Sequence, residues 1–152
     1  MELALFWHTP LPLRNGHREN LIYTVDEEKI PNIPGIYVFA RKHGKSMEPL
    51  YVGRANDLQA RIIQQLNNAR LMKGIENASA GHRKLLLAEC ITKPGQQLDK
   101  ALKIAESAFI KHYLAEGHEL LNIQGKQRRI HKIESERKYF RKHIPQTVYI
   151  EK

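Results

Sequence analysis

Gly35-Ile36-Tyr37-Val38-Phe39-Ala40, followed after a polar connection by Leu50-Tyr51-Val52-Gly53, is the stretch on which the fold turns. Both runs are rich in β-branched and aromatic residues, which suit a pleated, half-buried surface. The connection carries Lys42, His43, Gly44, Lys45 and Ser46, so the pair reads as an antiparallel hairpin with a longish loop. Upstream, Ile30-Pro31-Asn32-Ile33-Pro34 is a stiff, extended lead-in. Downstream, Asn56 is a helix N-cap and Gln59 completes a capping box. Leu58, Ile62, Leu66 and Ala69 then recur at helical spacing, which predicts a helix from Asp57 to Met72. Lys73 to His82, with Gly74 and Gly81, reads as a loop. Leu85 to Ile91 is the third strand, and Leu98 to Ala115 is a second helix stopped by Gly117.

The flanks are less regular. Leu3 to Trp7 reads as a strand or a docking arm, and Pro10 and Pro12 then break regular structure. Leu21 to Val25 is a short strand. Gln124 to His143 is strongly basic and is expected to be helical from Ile130 to His143, with Thr147 to Ile150 as a last strand. The domain organisation is therefore an N-terminal extension over 1–33 packed on the domain, a core over 34–123, and a basic C-terminal extension over 124–152.

Length and composition set the frame. At 152 residues the chain has the size of one ordinary domain. Its hydrophobic share of 41% is too high for a disordered chain. Lys plus Arg outnumber Asp plus Glu by 25 to 16, a net charge of +9 that favours a polyanionic partner through counterion release. The same excess also serves solubility or an acidic protein partner. Cys90 is the one cysteine, lies in an apolar run and reads as a small core residue. No apolar stretch spans a bilayer, and Met1 to His8 lacks the basic lead-in of a signal peptide. A cytoplasmic, reducing location without membrane association is the expectation.

Several residues could carry chemistry, and each has a plainer role beside it. Tyr37 and Tyr51 sit at corresponding places on paired strands, where two phenols could position a water or hold a phosphate oxygen, or be ordinary strand aromatics. Gly35 and Gly53 either serve a turn or bulge or let backbone approach a ligand closely. Arg61 lies on the edge of the helix's apolar stripe, with Gln65 one turn on, and either faces a cleft or snorkels. Glu106 is flanked at helical spacing by Leu102, Phe109 and Ile110. A carboxylate there needs a cation, which can be a divalent metal or a salt-bridge partner such as Lys103 or an arginine of the core edge. Asn122 suits a turn after the helix. The eight histidines form no convincing metal set and read as surface or phosphate-contacting residues. The tail, with Arg128, Arg129 and the Tyr139-Phe140 pair among its cations, could track a phosphate backbone or be a solvated face.

Taken in order, Gly35-Ile36-Tyr37, Tyr51-Val52-Gly53, Arg61 ten residues after Tyr51, Glu106 and Asn122 resemble the GIY-YIG nuclease family over roughly Pro34 to Ile123. The resemblance implies an α+β fold, a small central antiparallel sheet of three core strands flanked by helices. It also implies a metal-dependent endonuclease that hydrolyses phosphodiester bonds, in DNA above all, by in-line attack of water. Glu106 would then hold Mg²⁺, with Mn²⁺ as a substitute. Tyr37 would orient or deprotonate the water, Tyr51 and Arg61 would contact the phosphate, and Asn122 would brace the site. Gly53, Arg54, Lys45, Arg128 and Arg129 are the candidate substrate contacts. One position departs from the pattern: many relatives have a histidine or tyrosine one turn after the helix arginine, and here Gln65 cannot act as a base near neutral pH. A basic role would fall to Tyr37, Tyr51, Lys45 or His43. The alternatives are a nucleic-acid-binding module that has lost the chemistry, or a toxic nuclease effector with an inhibitor or immunity protein as partner.

Overall fold

The computed structural model describes residues 2–123, 130–134 and 147–151. Its centre is β5 (Gly35–His43), which pairs antiparallel with β6 (Ser46–Ala55) on one side and β7 (His82–Ile91) on the other. A strand hydrogen-bonded on both edges and covered on both faces must be apolar throughout, and Gly35 to Ala40 are all buried. The expected three core strands are thus present in the order β7-β5-β6. The sheet is wider than that: β1 (Ala4–Trp7) and β2 (Leu11–Pro12) both pair antiparallel with the outer edge of β7. The Leu3–Trp7 segment is a strand of the sheet, and Pro12 stands where an absent N–H is tolerated, on an edge. Leu21–Val25 contributes only β4 (Tyr23–Thr24), paired with β3 (Arg14–Asn15) in a separate ribbon.

The hairpin is longer and its turn tighter than the polar connection suggests. The ladder runs on to His43 opposite Ser46, leaving a two-residue turn whose Gly44 has φ 61°. Positive φ at the first turn position is what a type II′ hairpin asks of glycine. Arg41 faces Glu48 across the strands and pairs with it, so these polar residues stay in the ladder. Lys45 is therefore at the hairpin tip, roughly 25–30 Å of strand from Arg54.

The expected helix from Asp57 to Met72 is two helices, α1 (Leu58–Leu66) and α2 (Ala69–Glu76). The break has a side-chain cause: Asn68 leaves the helix and its Oδ1 accepts from Leu71 N at 3.1 Å, capping α2. The loop expected from Lys73 accordingly starts only after Glu76. The α1 N-cap is Asp57, not Asn56, with Oδ1 accepting from Ala60 N at 3.2 Å. Gln59 does not close a capping box; its Nε2 donates to the carbonyls of Glu27 (2.9 Å) and Ile30 (3.1 Å), tying the lead-in to α1. α3 (Leu98–Ala115) forms as the periodicity predicts. It ends in a Schellman motif, Gly117 N donating to Leu114 O and His118 N to Tyr113 O, with Gly117 at φ 92°. The tail corrects another expectation: Ile130 starts not a helix but β8 (Ile130–Glu134), paired antiparallel with β9 (Thr147–Glu151). Residues 135–143 of that expected helix lie outside the described residues.

The sheet separates two cores. Tyr37, Phe39, Leu85 and Leu87 face α1 and α2, while Ile36, Val38, Val52, Ala88 and Cys90 face α3. Cys90 is buried, as its neighbours suggest. No helix of the described residues is long and apolar enough to cross a membrane.

One buried cation holds the α2 end together. Arg83, 9% exposed, donates Nε to Ile75 O, Nη1 to Ser79 O and Gly81 O, and Nη2 to Glu76 O and Ala78 O. The guanidinium fork thus satisfies carbonyls that a helix end leaves open. Arg83→Ala should lower the unfolding free energy by about 2–4 kcal/mol, because it strips charged hydrogen bonds from the buried Ile75 carbonyl and from part-buried carbonyls around it. Arg83→Lys, with fewer donors and no fork, should recover less than half. Urea unfolding of the three proteins checks both.

Candidate functional site

Tyr37 and Gly53 are cross-strand partners, and Tyr51 faces Phe39 instead. The two motif tyrosines are thus diagonal neighbours rather than directly opposed. They share the α1 face, with ring centroids 6.2 Å apart and 28° between planes. The Tyr37 ring lies over Gly53 so closely that a Cβ there would stand 2.2 Å from Cζ and 2.3 Å from Oη. Gly53 therefore serves a close approach, but by a side chain of the same protein. Gly35 is crowded likewise: a Cβ would meet Ala88 O at 2.0 Å.

The phenol of Tyr37 is 0% exposed and accepts a hydrogen bond from Gln65 Nε2 at 2.8 Å. Burial pushes this phenol up to about 12. The Gln65 bond opposes the rise, the Tyr51 phenol adds to it, and the Arg61 guanidinium opposes it. Tyr37 stays protonated at any ordinary pH. Gln65, 4% exposed, is the buried tie between α1 and β5, a role that its place on the apolar edge hinted at and its departure from the family pattern obscured. Tyr51 is half-buried and is the more accessible phenol of the two.

At the C-terminal end of β6 the chain turns into α1 beside the first half of α3. There a cleft of about 590 Å³ is lined by Arg54, Asp57, Arg61, Gln64, Asp99 and Lys103, with others. Arg61 donates Nη1 to Gln64 Oε1 at 2.6 Å. Arg54, on the α3 side, donates Nη1 to Glu106 Oε1 at 2.7 Å, with side chains 38% and 21% exposed. Glu106 thus has an arginine of the core edge as its partner, the salt-bridge alternative left open by the sequence. Lys103, the other salt-bridge partner that the sequence offers for Glu106, lines the cleft instead, and sequence reading passed over Asp99, although it lies two helical turns before Glu106 and so shares its side of α3.

Asn122 stands behind the site. Its Oδ1 accepts from Val52 N at 2.9 Å and its Nδ2 donates to Val52 O at 2.7 Å. Both outward-facing backbone groups of the β6 edge at Val52 are thereby satisfied, and Leu121 N donates to Leu50 O at 2.7 Å on the same edge. Of the candidate residues, Arg54 and Arg61 line one cleft and Glu106 joins it through Arg54. Tyr37 and Gly53 pack against each other and do not line the cleft, Asn122 holds the strand, and Lys45 is at the far end of the hairpin. Arg128 and Arg129 lie outside the described residues.

For a metal, the described residues contain no group of three or more His, Cys, Asp or Glu side chains able to share an ion. The donor set fits only an ion that takes one carboxylate oxygen ligand from Glu106 and keeps water or substrate oxygens for the rest, as Mg²⁺ commonly does. Comparison of the chain with protein-family models, curated proteins and solved structures returns no match.

The Tyr37 phenol gives a pH signature. Its folded value lies above the ordinary 10.0, so the stability it confers is complete below pH 10 and is lost as pH rises through about 12. The loss integrates to about 3 kcal/mol. Stability of the wild type should fall more steeply than that of Tyr37→Phe between pH 10 and 12 in urea titrations, and parallel slopes would show that the phenol ionises freely.

Proposed function

We propose that this chain is a GIY-YIG-type endonuclease that hydrolyses phosphodiester bonds by in-line attack of water, with DNA as the substrate implied by the motif resemblance. The observation that carries the reading is the meeting of Arg54 and Arg61 at one cleft where the Tyr51-Val52-Gly53 strand ends, with Glu106 joined to it through Arg54. Two guanidiniums at one open cleft are suited to the non-bridging oxygens of a phosphate, and to the charge that builds there in the transition state. The net charge of +9 supports a polyanionic partner.

In this reading Glu106 would hold Mg²⁺, which when bound supplies charge neutralisation at the scissile phosphate. Arg61 contacts the phosphate and offsets developing charge, and Arg54 binds an adjacent oxygen. Tyr51, the accessible phenol, orients the attacking water. Tyr37, buried and protonated, is a positioning residue that fixes Gln65 and with it the turn of α1 carrying Arg61. Asn122 keeps the β6 edge in place.

One observation favours a second reading, a nucleic-acid-binding module without the chemistry: the position that would bring a base is Gln65, and its amide is committed to Tyr37. Supercoiled plasmid and single-stranded DNA incubated with Mg²⁺, Mn²⁺ or chelator separate the two. A nuclease should cut only with metal, lose cutting in Glu106→Ala, and lose about 100-fold or more in Arg61→Ala. Salt-sensitive binding without cleavage under every condition would decide for the module.

A further inference from the structure

Both cleft arginines have acceptors from their own chain, Arg54 on Glu106 at 2.7 Å and Arg61 on Gln64 at 2.6 Å. The first pairing bears directly on the proposed metal site. Arg54 Nη1 sits on Oε1 of the one carboxylate that would take the ion, so a divalent cation and the guanidinium are directed to the same charge. Two cations at hydrogen-bond and ligand distance from one carboxylate repel each other strongly in a partly buried site. Arg54 has the means to yield: its side chain is 38% exposed, long, and rooted at the end of an edge strand beside the open cleft.

We propose that Arg54 is an exchangeable counterion: it neutralises Glu106 in the metal-free protein, is displaced by the divalent cation, and then serves as a phosphate ligand in the cleft. Metal and nucleic acid binding are thereby coupled through one side chain. The ion releases the arginine that the phosphate needs, and the phosphate, by retaining that arginine, strengthens the ion's hold on Glu106. Such coupling is reciprocal by thermodynamic necessity. The inference rests on the reading of Glu106 as the metal ligand, and separate variants test the two.

Mn²⁺ alone, titrated into the full chain and followed by the electron paramagnetic resonance of the free ion, gives the affinity in the absence of nucleic acid. Arg54→Gln should bind Mn²⁺ about tenfold more tightly than the wild type, within the range of coupled sites. Arg54→Lys, which keeps the charge, should stay near the wild type, and Glu106→Gln should lose the site. In parallel, fluorescence anisotropy of a labelled duplex oligonucleotide should show tighter binding in Ca²⁺ than in chelator for the wild type, and a smaller difference for Arg54→Gln. Mn²⁺ affinity that is unchanged or weaker in Arg54→Gln, with loss in Glu106→Gln, would overturn the exchange and leave Arg54 as a brace for Glu106. Wild-type Mn²⁺ binding in Glu106→Gln would instead remove Glu106 as the ligand and take the nuclease reading with it. Matching circular dichroism and melting temperatures show that each variant is folded.

Discussion

The ring of Tyr37 fills the space that a side chain at position 53 would need, and much of the site depends on that contact. Register sets it up, because Tyr37 and Gly53 are opposed across β5 and β6. The contact sends the phenol toward α1, away from water, where an unpartnered hydroxyl would be costly. Gln65 supplies the partner at 2.8 Å. Once Gln65 is committed inward, Arg61, one turn earlier on the same edge of the helix, falls at the rim of the cleft. A glycine in one strand thus helps to set the position of a guanidinium on a helix.

The opposite face of the sheet contributes by a different force. α3 packs through Ala101, Leu102 and Ala105 against Ile36, Val38 and Val52, and this apolar contact brings Glu106 to the edge strand. There the carboxylate meets Arg54, whose neighbour Gly53 belongs to the other face's packing. The cleft exists because β6 ends between two helices that the sheet otherwise holds apart. The Asn122 amide closes the arrangement by satisfying both backbone groups of Val52, so the strand that carries Tyr51, Gly53 and Arg54 is held on both of its edges. Charges at the cleft are mixed, with Arg54, Arg61 and Lys103 set among Asp57 and Asp99, and Glu106 behind Arg54 as its partner. Attraction of a phosphate there depends on which of these pair with one another.

Local signals and long-range contacts divided the reading of the chain. Gly35 to Ala40 is legible as a strand because two-sided burial leaves a continuous apolar run, and α3 is legible because its spacing repeats over several turns. The break between α1 and α2 was hidden because Leu66, Ala69 and Met72 keep helical spacing through it, while the Asn68 side chain caps the start of a new helix. Asn56 and Asp57 are both good caps, and the choice between them reflects Asp57 also accepting from Asn32 Nδ2 at 3.2 Å, 25 residues away. The hairpin looked shorter than it is because Arg41 and Glu48 satisfy each other across strands, and polar residues so paired do not read as a ladder.

The amino-acid sequence by itself determined the central hairpin, the third core strand, the long helix with its glycine stop, and the burial of Cys90. Each of these depends on neighbours within a few residues, where periodicity and turn chemistry act. Only the tertiary structure decided that Tyr37 is sealed under Gly53 and bonded to Gln65, that Arg54 is the cation on Glu106, and that the Asn122 amide is matched to Val52. Those partners are 28, 52 and 70 residues apart, and their meeting depends on strand register and on which sheet face each helix covers. Side-chain spacing along one element says which residues share a face; it does not say what stands opposite that face, because that is set by the packing of the whole sheet.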